Sequence, residues 1–469
     1  MSYPRNVLLI YTDQWRFDAL GCAGNHEIVT PHLDQLAASG VQFTHCFVQH
    51  PLCMPSRYSM LCGRYPSSLN VTHMGVSVPQ DAETLPRMLS RFGFYTANFG
   101  KLHFLPHANR DHRLPHPSYG FTHAEISDEP GVYDDPYRAW VRRHYPAELE
   151  HISRIAHPPA FAEWRRVMNL DDEINRPTDF DAYTTRVYPG DERTTYSSWV
   201  TSRTIDFLRT RQRDGQHFLC VASYYNPHSP LMVSRRFLNL YRDRSIEPWV
   251  FPPELQSRRT DLGLTDEHLR QAKLGYYAMC SEVDHHVGTL LAELRSTGLL
   301  EKTLVVFTSD HGEFLGEHLR WGKSYPVPDC VSRVPLLFAG AGVAAGTRCD
   351  ACVEAVDIVP TLLAALGKPL APTLEGRSLL AAIQNGAPPV DSTDALTEDV
   401  QWKALRTPDH RYIFHLDGRE ELFDLSAPFG EYRDIASDPR STHVLADCRR
   451  RLLHKLFRKE RPIPREWPY

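Results

Sequence analysis

Short apolar runs rich in valine, leucine and phenylalanine recur along this chain, at Val7 to Tyr11, Phe94 to Phe99, Phe218 to Ala222, Thr303 to Thr308 and Val334 to Phe338. Runs of that length without polar alternation suit strands covered on both faces, the pattern of a mostly parallel sheet between helices. The predicted fold class is therefore α/β, a large mostly parallel central sheet flanked by helices. The first helix is punctuated by Thr30 as cap, Pro31 at its opening and Gly40 at its end. From Thr265 to Gly298 the residues Leu269, Ala272, Tyr276, Met279, Val283, Val287, Leu290 and Leu294 predict one long amphipathic helix feeding the strand at Thr303. Asp284, His285 and His286 lie within it, but adjacent helical residues point about 100° apart and no further ligand follows at i+4. They are read as ordinary helix residues.

At 469 residues, 42% of them hydrophobic, the chain can build one large domain and a smaller one. Residues 1–388 read as the catalytic domain. Within it the pattern fades between about 105 and 195 into a stretch rich in proline, histidine and charge, expected to form loops over the carboxyl end of the sheet and to set substrate choice. Residues 389–469 read as a small antiparallel subdomain, with strands at Trp402 to Arg406, Tyr412 to His415 and Glu421 to Leu425. A helix around Leu445 to Phe457 closes it, and Arg461 to Tyr469 form a docking arm.

The net charge of −5 comes from 52 basic and 57 acidic residues with no long block of either sign, which argues against a nucleic-acid partner. An anionic substrate must then be drawn by a local cationic pocket. No stretch is long enough to span a membrane, and Val7 to Tyr11 is too short for a secretory core. The ten cysteines are read as no disulfide framework and, being taken to include no Cys-x-x-Cys pair, as no zinc site, which points to a reducing cytoplasm.

One cysteine stands apart, in Pro51-Leu52-Cys53-Met54-Pro55-Ser56-Arg57, with Gly63-Arg64 beyond it. Pro55 is pre-set for a first helical turn and Gly63 stops the helix, so Cys53 falls at a helix N-terminus, where backbone N–H groups favour an anion. Arg57, one turn on, is expected to project back toward the cysteine. Other polar residues follow the predicted strands: Asp13 and Gln14, Asp310 and His311, Lys101 and His103, and His228, with Lys323 in Trp321-Gly322-Lys323. Oxygen donors at two strand ends can converge on one divalent ion. If the segment after Phe99 stays extended, Lys101 and His103 point to the same side. Together these supply a nucleophile, a cationic clamp and an acid for hydrolysing a sulfate or phosphate ester.

On these motifs, with Thr30-Pro31-His32-Leu33-Asp34, Asn226-Pro227-His228 and Glu421-Leu422-Phe423-Asp424-Leu425, the chain strongly resembles the type I sulfatases of the alkaline phosphatase superfamily. The resemblance implies the alkaline-phosphatase-like sandwich, and it implies that Cys53 is oxidised to formylglycine by a formylglycine-generating enzyme. One hydroxyl of the hydrated aldehyde, held by the metal and Arg57, would then attack sulfur while His228 and Lys323 contact the sulfate and leaving oxygen. His103 would deprotonate the second hydroxyl to expel sulfate from the covalent sulfo-enzyme, with Lys101 bridging nucleophile and sulfate. The implied metal ligands are Asp13, Gln14, Asp310, His311 and position 53, and the implied ion is Ca²⁺, with Mn²⁺ or Mg²⁺ as alternatives.

Two residues depart from the common pattern: Gln14 where many members have aspartate, and His311 where many have asparagine. An imidazole ligand shifts the balance toward Mn²⁺ or another transition metal. The pair also looks like the phosphonate monoester hydrolases, which act on phosphonate and phosphate diesters, although those usually have threonine and tyrosine at the positions of Lys101 and His103. Choline sulfatases are similar around Gly100-Lys101-Leu102-His103-Phe104 but not at the C-terminal end. The expected activity is thus hydrolysis of a sulfate monoester, small-molecule or sugar. The alternatives are a phosphonate or diester hydrolase and a catalytically silent anion-binding member. An ordered terminal arm would favour a homodimer or homotetramer.

Overall fold

The computed structural model describes residues 4–107, 110–169, 181, 183–389 and 393–459. Its strands, in chain order, are β1 (Asn6–Thr12), β2 (Gly40–Phe47), β3 (Tyr95–Gly100), β4 (His123–Ile126), β5 (Arg186–Val187), β6 (Phe218–Ser223), β7 (Met232–Val233), β8 (Thr303–Ser309), β9 (Arg333–Gly340), β10 (Thr347–Glu354), β11 (Ala395–Glu398), β12 (Trp402–Arg406), β13 (His410–His415) and β14 (Glu420–Asp424). Eight of them form the central sheet in the order β10-β2-β9-β8-β1-β6-β3-β4. Only β9 opposes its neighbours there; the other pairings are parallel. The sheet is the α/β architecture expected from the apolar runs.

All seven residues of β1 are buried, as are all of β6 and β8. Alternate side chains therefore face two apolar layers. Leu8 and Ile10 pack with Trp199, Leu208, Tyr276 and Val283 of the helices α3 (Tyr196–Asp214) and α4 (Asp266–Ser296). Val7, Leu9 and Tyr11 pack with Tyr58, Met60 and Leu61 of helix α2 (Cys53–Cys62). A third cluster joins Leu396, Leu405, Tyr412 and Leu422 of the four-stranded antiparallel sheet β11-β12-β13-β14 to Leu445, Cys448 and Leu452 of the C-terminal helix Thr442–Lys459.

Several local expectations change. Thr30 stands at the N-cap of helix α1 (Pro31–Ala38), but its hydroxyl accepts from Gly21 N and makes no cap bond. Asp284 of α4 does that work, accepting from His32 N (3.2 Å) and Leu33 N (2.7 Å), which accounts for the acidic member of the Asp284-His285-His286 triplet. Gly40 begins β2 instead of ending the helix. The 105–195 stretch is more than loops, since it adds β4 to the sheet edge and the helices Pro136–His144 and Pro158–Met168. A Cys-x-x-Cys spacing does occur, at Cys349 and Cys352, but a bulge separates them and they join different apolar clusters. All ten cysteines are free. No helix among the described residues is long and apolar enough to cross a membrane. The arm Arg461 to Tyr469, and the oligomer expectation resting on it, lie outside the described residues.

Candidate active site

Register brings the strand ends together. Thr12 pairs with Ser309 across β1 and β8, and Asp310 N donates to Thr12 O at 3.2 Å, so Asp13 and Asp310 leave the sheet side by side. Gly100 pairs with Ser223 across β3 and β6, and Lys101 N donates to Ser223 O. Lys323 reaches the same edge because its loop leads into the start of the reversed strand β9. Helix α2 follows β2 and presents Cys53 as its first residue, with Gly63 in the left-handed region (φ 64°) as its C-cap.

Cys53 Sγ is the meeting point. It accepts from Lys323 Nζ at 2.8 Å and lies 3.2 Å from His311 Nε2 and 3.9 Å from Asp13 Oδ1. Lys323 Nζ also donates to Gln14 Oε1 and His228 Nε2, each at 3.1 Å, so all three of its N–H groups are used. Lys101 Nζ pairs with Asp13 Oδ2 at 2.6 Å. Burial and then Asp13 push the Cys53 thiol up to about 11, which leaves it protonated at neutral pH and a poor nucleophile in its own right.

Arg57 takes a different position from the expected one. Its guanidinium turns onto Asp310 Oδ2 (2.7 Å), Ser223 Oγ (3.0 Å), Lys101 O (3.2 Å) and Thr12 O (3.3 Å), with Asp13 Oδ2 at 3.6 Å. It holds the two carboxylates and the strand ends, and the cation nearest Sγ is Lys323. Residues 101–104 are not a strand either: His103 has φ 56° and its amide, with that of Leu102, donates to Asp128 Oδ1. His103 still enters the site. Its ring is buried, neither nitrogen has a hydrogen-bond partner among the described residues, and burial and then Lys101 hold its imidazole well below the ordinary range. A neutral, unengaged base results.

The donor set fits a divalent cation. Asp13, Cys53, Asp310 and His311 bring one ligand atom each within 4.8 Å of one another. His311 Nδ1 faces Gly312 O at 2.9 Å and must donate to it. Burial holds the imidazole down at about 4, so Nε2 carries a lone pair. That lone pair faces Asp310 Oδ1 (3.5 Å) and Asp13 Oδ1 (3.6 Å), an arrangement that repels itself until a cation sits between the three. The Gln14 side chain bridges Lys323 and Glu313, and the Gln14 backbone N–H donates to Asp310 Oδ1 at 3.0 Å.

Two supporting residues had no role in the sequence reading. Glu313 accepts from Gln14 and from the amides of Gly322 and Leu315, so it fixes the turn carrying Lys323. It lay within the quoted Ser309 to Glu313 motif. Asp128 orients residues 102 and 103 from a segment without periodicity, where no pattern marks it.

Buried carboxylates, an imidazole and lysines gathered at the carboxyl edge of a mostly parallel sheet are the apparatus of the alkaline phosphatase superfamily. The chain belongs to the sulfatase family, whose model matches residues 5–368, and is a sulfuric ester hydrolase. It is similar to the arylsulfatase of Clostridium perfringens (strain 13 / Type A), 27% identical over 476 residues that cover 97% of this chain and 95% of the relative. Two solved structures share the fold. A phosphonate monoester hydrolase from Silicibacter pomeroyi has a TM-score of 0.77 at 23% identity, covering 97% of this chain and 95% of its own. A protein solved in complex with its substrate D-glucosamine-2-N,6-O-disulfate has a TM-score of 0.75 at 20% identity, covering 98% of each chain.

Proposed function

We propose that this chain hydrolyses a sulfate monoester to an alcohol or phenol and inorganic sulfate, with Cys53 converted to formylglycine. The observation that carries the reading is the Lys323 ammonium set between Cys53 Sγ (2.8 Å) and His228 Nε2 (3.1 Å). A nucleophile at the place of Sγ would have a cation beside it and an imidazole one step away. The hydrated aldehyde would supply two hydroxyls at position 53, one to displace the alcohol from sulfur and one to release sulfate. Because Cys53 is 1% exposed, the modifying enzyme would need the chain before it is fully folded.

Asp13, Asp310 and His311 would hold the divalent ion, with position 53 and Gln14 beside it, and the ion would add positive charge for the ester's non-bridging oxygens. Lys101, Lys323 and His228 would contact the sulfate, and Lys323 or His228 would also face the leaving oxygen. His103, neutral and without a partner, would take the proton from the second hydroxyl. Arg57 would keep both carboxylates aimed inward.

The imidazole of His311 in the donor set, beside the uncharged Gln14, favours a second reading as a phosphonate or phosphate diester hydrolase, whose substrates carry the same single negative charge. The test is kcat/KM for 4-nitrophenyl sulfate beside the 4-nitrophenyl ester of phenylphosphonate, on metal-replete protein whose Cys53 conversion has been verified by peptide mass. A ratio favouring sulfate, abolished in folded Cys53→Ala protein, is expected. A ratio favouring phosphonate, or full activity in Cys53→Ala, overturns the reading.

A further inference from the structure

A second group of ligand-type side chains lies behind the turn that leads to Lys323. Glu317, His318 and Cys330 bring a carboxylate oxygen, an imidazole nitrogen and a sulfur within 4.8 Å of one another. Cys330 is 2% exposed, and the His318 and Glu317 side chains are 8% and 18% exposed. From the C-terminal sheet side, Glu431 Oε2 approaches His318 Nε2 to 3.8 Å. That is beyond hydrogen-bonding distance, and His318 Nε2 is buried with no hydrogen-bond partner among the described residues. Its ring cannot easily turn away, being stacked on Tyr432 at 4.1 Å and edge-on to Phe314.

Each carboxylate spends one oxygen on an arginine and keeps the other. Glu317 Oε2 pairs with Arg16 Nη2 at 2.8 Å, and Glu431 Oε1 pairs with Arg411 Nη1 at 2.5 Å and accepts from Asp329 N at 3.0 Å. A sulfur, an imidazole nitrogen and two carboxylate oxygens suit a borderline-soft divalent ion better than calcium or magnesium. Ligand atoms about 2.0–2.3 Å from a tetrahedral ion lie roughly 3.3–3.8 Å apart; the 3.8 Å spacing of Nε2 and Oε2 fits that range, and Glu431, which stands outside the group of three, would complete the set by moving toward Glu317 and Cys330.

We propose that Glu317, His318, Cys330 and Glu431 form a structural binding site for one zinc-type ion, separate from the catalytic centre. The ligands come from the turn Glu317–Leu319, the helical turn Asp329–Ser332 just before β9, and the turn Gly430–Tyr432 after β14. The ion would staple the C-terminal sheet to the loop that delivers Lys323. Binding takes the Cys330 sulfur as thiolate and releases its proton to solvent.

Cobalt(II) titration of chelator-stripped Cys53→Ala protein tests this, because the catalytic cluster then has no sulfur. One equivalent is expected to produce a thiolate-to-cobalt charge-transfer band that zinc displaces. Cys330→Ser in that background should abolish the band, and His318→Gln should weaken cobalt binding at least tenfold. Zinc should raise the Tm of the Cys53→Ala protein by clearly more than that of the Cys330→Ser protein, in which only the sulfur-free catalytic cluster is left to bind it. Absence of the band in Cys53→Ala, or a band of unchanged strength in the Cys330→Ser protein, overturns the proposal. Where Cys330→Ser fails to fold, unchanged cobalt affinity in His318→Gln overturns it alone.

Discussion

Lys101 Nζ lies 2.6 Å from Asp13 Oδ2, and both side chains are fully buried. Burial alone would raise the Asp13 carboxyl, but Lys101 first, then His228, Lys323 and Arg57, hold it well below the usual carboxylate range. One of the lysines proposed to contact sulfate is thereby locked to one of the carboxylates proposed to hold the ion.

Removing one partner of such a pair strands the other without water or counter-charge. Lys101→Ala is expected to destabilise the metal-free protein by about 3 kcal/mol, read from the urea midpoint. It should also lower kcat for the sulfate ester by about 10²-fold or more, as loss of a charged donor at a reacting group does. An unchanged urea midpoint would show that Asp13 finds another partner.

Gly100 places that lysine. Its φ is +106°, and a Cβ built on it would sit 1.9 Å from Ser223 O. That oxygen accepts the Lys101 amide, and Ser223 Oγ accepts from Arg57. Gly100→Ala should therefore cost more than left-handed strain, about 2 kcal/mol or above, and reduce kcat/KM with it. Gly93 is the control. It has φ +76° with nothing within 4 Å of a Cβ, so Gly93→Ala should cost about 1 kcal/mol and leave kcat/KM unchanged.

Strands such as β1, β6 and β8 were legible because burial on both faces forces unbroken apolar runs, and a polar residue directly after each run is visible at once. Asp13, Lys101 and Asp310 were found that way. The direction of a long side chain is another matter. Arg57 was expected to lean on Cys53, but two buried carboxylates outbid a thiol for a guanidinium, and nothing local to Arg57 announces them. His103 reached the site through a left-handed turn held by Asp128, although its sequence suggested an extended segment. The edge strand β4 was missed because four residues with only Ile126 buried leave little hydrophobic pattern.

The metal preference turns on His311. Its Nε2 is aimed between Asp13 and Asp310 by the Nδ1 bond to Gly312 O, and an imidazole donor favours transition ions over calcium. After chelation removes activity, Mn²⁺ is expected to restore more of it than Ca²⁺ at equal free concentration. His311→Asn, which substitutes an amide oxygen for the nitrogen, should reverse that order. Activity surviving exhaustive chelation would refute a metal at this site.

Acid stability is expected to depend on Glu398, the last residue of β11. Its side chain is 1% exposed, and it accepts from Ser67 N (2.9 Å), Lys459 Nζ (2.7 Å) and Lys403 Nζ (3.0 Å). Burial would raise this carboxyl, but Lys459 and then Lys403 outweigh it and hold it at about 2, against 4.5 for the unperturbed group. A folded-state value below the unfolded one stabilises the protein above the unfolded value. The contribution is lost as pH falls from about 4.5 to about 2. Burial pulls the Lys459 ammonium down, which offsets part of the gain and leaves roughly 2 kcal/mol at neutral pH. Glu398→Gln should remove that amount at pH 7 and flatten the dependence of the urea midpoint on pH below about 4.5. Parallel pH profiles for the two proteins would mean that Glu398 is no better paired when folded than when unfolded.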